Sequence, residues 1–362
     1  MKSKPAIAFF GSSLVSAYWN GAATYYRGII KYLHRHGYKI SFFEPDVYNR
    51  QQNRDIADPD YAEVVVYQNS LPALEKALKK AEKADIIIKA SGVGVFDELL
   101  EYMLPQIKKD NQRIIFWDVD APATLDNVLN NPDSQFRKLI PVYDFILTYG
   151  GGDPVVNTYK SLGARECVPV YNALDPETHF EVSPEDRFIC DLSFLGNRLP
   201  DREERVKSFF FNLALRLPKM KFLLGGNGWG DYNFPANVKY VNHVFSRDHN
   251  AFNSSATFVL NISRQSMASY GFSPATRIFE AAGAGACIIT DYWEGISEFF
   301  EPGHEILVAR NGNEVEYFIK DIGREEAAEI GRKAKQRVLA DHTYEKRAAV
   351  LNRILTEQEV VI

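Results

Sequence analysis

Cysteine is scarce in these 362 residues: Cys167, Cys190 and Cys287 stand far apart with no metal-type spacing. That excludes a disulfide framework or a small zinc module and suits free thiols in a reducing compartment. No run of 18 apolar residues occurs, so no segment reads as a transmembrane helix. A basic surplus is also missing. Lys+Arg number 42 against 47 Asp+Glu, a net charge of −5, whereas binding a nucleic-acid backbone needs local cation excess. Nucleic acid is therefore not an expected partner. The first residues, MKSKPAIAFFGSSLVSAYWNG, break their apolar stretch at Gly11, Ser12 and Ser13. They lack the h-region of a signal peptide and read as a first strand. The dinucleotide fingerprint G-x-G-x-x-G fails too, because Gly11-Ser12-Ser13-Leu14 holds one glycine where three are needed; this undercuts a nicotinamide-dependent dehydrogenase. Short internal repeats and low-complexity tracts are absent.

What remains is a chain with 46% hydrophobic and 25% charged residues, the balance of a globular protein able to bury sizeable cores. Its length fits two domains, and a cytoplasmic location is expected. Short apolar β-type runs alternate with helical patterns: Ala6–Phe10, Ile40–Phe43, Val64–Tyr67, Ile86–Lys89, Ile114–Trp117 and Phe145–Tyr149 come first. Tyr25, Ile29, Ile30 and Leu33 form one stripe of a helix that Gly37 ends, and Leu74, Ala77, Leu78 and Ala81 keep i, i+3, i+4, i+7 spacing in another. Such alternation predicts right-handed βαβ units around a parallel sheet.

The alternation pauses at Tyr171–Arg187, an acidic stretch with two prolines and little periodicity, which reads as a hinge. It resumes with Leu192–Leu195, a helix near Arg202–Leu217, Lys221–Leu224, Val238–Val241, Phe258–Ile262, a helix over Pro274–Ala284, Cys287–Thr290 and Ile306–Val308. The expected division is 1–172, 173–340 and a terminal helix in 341–362 that crosses back to the first domain. Two doubly wound domains joined in this way predict a cleft between them, with ligands at the C-terminal strand ends.

The stretch from Ser273 to Ala286 offers specific chemistry. Ser273 is suited to an N-cap and Pro274 to the first helical position, and a helix start is a ready anion site. Arg277 and Glu280 are three apart and share a face, so a diphosphate at the helix start and a carboxylate accepting from vicinal hydroxyls could meet there. An ordinary surface ion pair is the competing expectation.

Asn261–Val308, which contains this helix, resembles the donor domain of GT-B glycosyltransferases, and within them the CgeB-like, spore-maturation type. Further segments agree in order: Phe10-Gly11-Ser12 with Asn20-Gly21-Ala22, Tyr171-Asn172-Ala173-Leu174-Asp175-Pro176, Leu195-Gly196-Asn197-Arg198, and Leu224-Gly225-Gly226-Asn227-Gly228-Trp229. The resemblance implies a GT-B fold of two Rossmann-like parallel-sheet domains and a metal-independent glycosyltransferase of hexosyltransferase type. A UDP-, GDP- or TDP-sugar would be the donor, no cofactor would be needed, and the acceptor would be a glycan, a protein or a small molecule. Glu280 would accept from ribose hydroxyls. Arg198 would sit at the diphosphate, joined by Arg277, Arg264 and the helix start with Ser273 and Thr276. Asn197, Asn20 and Gly21 would lie in donor-facing turns. Two departures stand out. Phe272 occupies the position, eight before Glu280, where retaining enzymes carry a sugar-contacting Glu. The lysine usual after the Gly-Arg turn is replaced by Pro200-Asp201-Arg202, so Arg202 or Arg205 would substitute.

On the acceptor side, Asp118-Val119-Asp120 follows a strand and provides candidates for a general base on an acceptor hydroxyl. A metal pair and a simple helix cap compete with that role. Tyr149-Gly150-Gly151 opens a turn that could admit an acceptor, although steric turns look the same and Asp153-Pro154 reads as a plain cap pair. His34 and His36 flank a helix end, His243, His249 and His304 fall singly, and all are expected to be structural or solvated. Tyr18, Trp19, Tyr25, Tyr26 and Trp229 are candidates for stacking on sugar, with core packing the default. A nucleotide-sugar epimerase and a catalytically silent nucleotide-binding module remain alternative functions.

Overall fold

Every apolar run expected to be a strand enters one of two all-parallel sheets in the computed structural model, which describes residues 5–356. The first sheet contains β1 (Ala6–Phe10), β2 (Lys39–Asp46), β3 (Glu63–Gln68), β4 (Ile86–Ala90), β5 (Arg113–Asp118), β6 (Phe145–Thr148) and β7 (Cys167–Pro169), in the order β3-β2-β1-β4-β5-β6-β7. The second contains β8 (Cys190–Leu195), β9 (Phe222–Gly225), β10 (Val238–Tyr240), β11 (Ala256–Asn261), β12 (Cys287–Asp291) and β13 (Leu307–Ala309), in the order β10-β9-β8-β11-β12-β13. Strand β7 escaped the sequence pattern. It is three residues long and includes Pro169, which an edge strand tolerates because no further ladder bond is needed on its outer side.

Central strands are buried on both faces, as parallel sheets require: Ile86–Ala90 and Cys287–Asp291 are buried at every residue. The helical stripe read at Tyr25–His36 becomes the helix Ala23–Arg35, with Tyr25, Ile29, Ile30 and Leu33 all buried. The core of the second sheet gathers Leu192, Phe194, Phe210, Phe211, Leu224, Leu260 and Ile289. Within the segment expected as a helix near Arg202–Leu217, Lys207–Phe211 forms a π-helical turn. Phe209, Phe210 and Phe211 are all buried there.

The chain divides into two compact units, one up to Asn172 together with the last helix, the other Ala173–Thr343. The last helix is Tyr344–Thr356, and Asp341 instead ends the preceding helix, Arg324–Asp341. The Tyr344 ring lies where a Cβ on Gly28 would be, 2.1 Å from its Cδ2, so the last helix and Ala23–Arg35 are packed backbone-close. No helix among the described residues is long and apolar enough to cross a membrane.

Candidate functional site

In the second unit the strand order reverses between β8 and β11. Open α/β sheets bind ligands at the C-terminal strand ends beside such a reversal, because the flanking connections diverge to opposite faces and leave a crevice. The turns after β8 and β9 meet there: Gly226 has φ +120° and a Cβ on it would lie 2.3 Å from the Gly196 carbonyl oxygen. That carbonyl accepts from the buried Trp229 indole at 2.8 Å, which makes Trp229 a brace of the turn and not a stacking surface.

Arginines crowd the same strand ends. Arg202 reaches from the β8 turn to the Asn197 carbonyl at 2.5 Å and towards the Ile262 carbonyl at 3.5 Å, past the end of β11. Its Nε has no hydrogen-bond partner among the described residues. Burial, and then the Arg264 and Arg277 charges, bring its guanidinium down to about 10 against the opposing pull of Asp201. Like charges held together in a partly desolvated place favour an anion among them. Arg264 pairs with Asp201 at 2.9 Å. Arg205 has a structural task, binding the Ser263 carbonyl at 2.9 Å and the buried Asp291 carboxylate.

The Arg198 guanidinium is gripped by Glu203 at 2.8 and 3.0 Å and by Asp231 at 2.9 Å, so its charge is compensated by acidic neighbours, whereas the Arg202 Nε has no partner among the described residues. Asn197 spends its side-chain oxygen on the Asn227 N–H at 2.8 Å and is likewise a turn brace. The helix expected over Pro274–Ala284 runs from Thr276 to Gly283 with Ala275 at the N-cap. Ser273 does not cap it, since its hydroxyl is buried and donates to the Gly271 carbonyl at 2.9 Å. Phe272 precedes it in the left-handed region (φ 45°).

Glu280 is 4% exposed, which sets aside the surface ion pair. Arg277 Nη1 lies 3.0 Å from its Oε2 and His179 Nε2 lies 3.6 Å from its Oε1. Burial pushes the Glu280 carboxyl up, but His179, Arg277 and His249 override it and hold the group at about 2. His249, expected to be an ordinary structural residue, belongs to this cluster: its ring, His179 and Glu280 place one ligand-type atom each within 4.8 Å of one another. His179 comes from the hinge segment and His249 from the helix His249–Ser254. Sequence spacing could not reveal them, since they lie 101 and 31 positions from Glu280 (280 − 179 and 280 − 249). Burial, then Arg277, lowers the His249 imidazole to about 3.

His249 and Glu280 make the stability of the fold depend on pH. Between the ordinary histidine range and about 3, the unfolded chain binds a proton at His249 that the folded chain refuses, so stability falls as pH falls through that window. Glu280, held at about 2, contributes stability present above the ordinary carboxylate range and lost as pH drops towards 2. The melting temperature is expected to decline from pH 7 to pH 4, and less steeply in His249→Asn; identical slopes for the two proteins would refute the assignment.

In the first unit, order reverses between β1 and β4. Asn20 is consumed within its loop, donating to the Ser13 and Ser16 carbonyls at 2.9 Å and accepting from the Ser12 hydroxyl at 2.9 Å. It shapes the turn, and both of its amide hydrogens are spent within the loop. Gly21 is exposed, and a Cβ placed on it would meet nothing within 4 Å. Trp19, beside it, is 49% exposed and left-handed at φ 49°. By contrast, Tyr25 and Tyr26 are core residues; the Tyr25 hydroxyl donates to the Val170 carbonyl at 2.6 Å.

Asp118 and Asp120 separate in role. Asp118 is fully buried at the end of β5 and accepts from Ser91 at 2.8 Å, Thr124 at 2.9 Å, the Asp120 N–H at 3.0 Å and Tyr159 at 2.5 Å. Burial raises its carboxyl despite those donors. A carboxylate saturated in this way ties four segments together and has no reach to a substrate. Asp120 is half-buried at the N-cap of the helix Ala121–Asn130, with no side-chain cap bond. No third metal-type ligand joins the two among the described residues. In the glycine turn, Gly151 is itself the N-cap (φ +95°) and Gly152 begins the helix, so Asp153 lies within the first turn. A Cβ on Gly151 would sit 2.0 Å from Val155 Cγ2, a local steric demand. Gly150 is buried, and the Tyr149 ring packs on Tyr25 with centroids 5.9 Å apart.

Residues 202–353 match a family model described as glycosyl transferase-like. No curated protein matches the chain by sequence. Solved glycosyltransferases share its fold over nearly the whole length. Sucrose-phosphate synthase from Thermosynechococcus elongatus is 13% identical, with a TM-score of 0.71, over 97% of this chain and 98% of its own. HepE of Anabaena, solved with UDP-glucose, is 14% identical with a TM-score of 0.70, over 98% and 100%. An α-glucosyltransferase solved with UDP and a 13-mer DNA is 13% identical with a TM-score of 0.71, over 98% and 100%. The two parallel-sheet units thus form the GT-B fold.

Proposed function

We propose that this chain is a glycosyltransferase that moves a hexosyl group from a nucleoside-diphosphate sugar to an acceptor hydroxyl, without a metal ion, in the cytoplasm, and that it is of the CgeB-like type. The observation that carries this reading is the set Arg202, Arg264 and Arg277 at the strand reversal of the second unit, next to the buried ionised Glu280. As the sugar–phosphate bond breaks, negative charge develops on the departing diphosphate, and preorganised guanidinium groups stabilise it more than they stabilise the ground state. Glu280 would accept from ribose hydroxyls.

On the acceptor side, the hydroxyl oxygen bonds to the anomeric carbon while its proton passes to the Asp120 carboxylate. The exposed Trp19 supplies an apolar face suited to a sugar ring. A net charge of −5 favours an uncharged or cationic acceptor such as a glycan over nucleic acid.

Phe272 supports a second reading, a silent nucleotide-binding module, because a half-buried ring stands where similar enzymes place a sugar-contacting carboxylate. One experiment serves both. In a thermal-shift panel of UDP, GDP, TDP, CMP and ADP, a diphosphate at about 100 times its Kd is expected to stabilise the protein by about 2.7 kcal/mol. No shift with any nucleotide would overturn the donor site. A shift without sugar transfer from the matching nucleotide-sugar to any acceptor would favour the silent module.

A further inference from the structure

We propose that the outer edge of β3 is a dimer interface, at which two copies of this chain pair antiparallel about a twofold axis through Val66. The interface is independent of what the crevice of the second unit binds.

Of the four edges that the two sheets present, three are blunted. β7 is three residues long and ends in Pro169, and β10 and β13 are three residues each. β3 is six residues long and pairs only with β2 among the described residues. Its register is one-to-one from Glu63 to Gln68, so it carries no bulge. It also lacks proline and lysine, the other devices by which edge strands resist pairing. Glu63, its single charged side chain, does not guard it either, because Lys80 at 2.5 Å and the Ser41 hydroxyl at 2.8 Å occupy the carboxylate. What the edge offers is Val64-Val65-Val66-Tyr67, with Val66 40% exposed and the nearby Leu71 56% exposed. A β-branched run with an unpaired row of backbone N–H and C=O groups is a template for another strand.

Symmetry and charge select the partner. A twofold axis that runs two strands antiparallel keeps each face of the sheet on its own side, so residues opposite each other must have numbers of even sum. With Val66 on the axis, it faces its own copy, Val65 faces Tyr67, Val64 faces Gln68 and Glu63 faces Asn69. No charge meets a like charge, which would oppose pairing. The same register brings the exposed Asp60 of one copy level with Pro72 of the other, at the start of the helix Leu71–Ala81. That helix start has no side-chain cap bond and no acidic residue in its first turn. An approaching carboxylate is favoured there by the exposed amides and the helix dipole, and by symmetry the contact is made twice. The edge is complementary to itself, and a second copy of the chain satisfies it.

The test is light scattering coupled to gel filtration on the wild-type chain, Val66→Lys and Leu215→Lys, each at about 50 µM, above the Kd of a micromolar interface. The wild type is expected at twice the chain mass. Val66→Lys sets two ammonium groups against each other on the axis and is expected to run as a monomer, its dimer Kd raised about 100-fold or more. Leu215, in the second unit, is 67% exposed, and Leu215→Lys is expected to stay dimeric. Circular dichroism melts separate loss of pairing from loss of fold. Val66→Cys gives a second readout. The native cysteines are buried, and opposed residues of an antiparallel pair have Cβ atoms about 4.5–5.5 Å apart, which a small shift brings to disulfide distance. Oxidation with diamide is expected to give a covalent dimer that reduction releases. A monomeric wild type, a folded Val66→Lys that stays dimeric, or a Val66→Cys that does not cross-link each overturns the proposal.

Discussion

Glu280→Gln is expected to weaken binding of the preferred nucleoside diphosphate by about 10- to 100-fold, the worth of a charge-assisted hydrogen bond in a desolvated place. The reason is specific to its surroundings. Glu280 is held ionised chiefly by His179 and Arg277 despite burial, and a ribose hydroxyl gains more from a fixed carboxylate than from water. The substitution also leaves Arg277 Nη1, now 3.0 Å from the carboxylate, without a counter-charge, so the melting temperature is expected to fall as well. Titration calorimetry with circular dichroism separates the two effects. A folded variant with wild-type affinity would move ribose recognition away from this helix.

Asp120→Asn is expected to lower kcat by about 100-fold or more, the usual contribution of a positioned general base, while Kd for the donor stays unchanged. Asp118, two residues earlier, makes the contrast: its carboxylate accepts four hydrogen bonds in a fully buried setting. Asp118→Asn places an amide against donors and is expected to lower stability with little selective effect on donor affinity. Activity of Asp120→Asn within threefold of wild type would place the base elsewhere.

Much of the fold was legible because parallel strands buried on both faces are near-continuous apolar runs, as Ile86–Ala90 and Cys287–Asp291 show. Strand β7 was not, since three residues with a proline carry no periodic signal. The helix carrying Arg277 and Glu280 was legible from Ser273 and Pro274 at its expected start, but its start was displaced to Thr276. Ser273 looks like a cap in sequence, and only the neighbouring Gly271 carbonyl shows where its hydroxyl goes. The same holds for Arg198. The resemblance implied a phosphate contact for it, and only the structure shows that Glu203 and Asp231 also pair with its guanidinium.

The sequence by itself determined the class of the molecule: two βα sheets, no basic surface, and an Arg–Glu pair near a helix start. These depend on composition and on periodicities of two and 3.6 residues, which are local properties of the chain. Only the tertiary structure decided which charges are free to act. Glu203 holds Arg198 while the Arg202 Nε is left without a partner among the described residues, Asp118 became an internal tie beside Asp120, and His179 and His249 joined Glu280 from distant segments. Burial and partners set protonation and hydrogen-bonding capacity, and both come from residues far away in sequence. The scarcity of cysteine and the lack of metal-type spacing still hold along the chain, yet folding gathers two imidazoles and a carboxylate that no spacing announced.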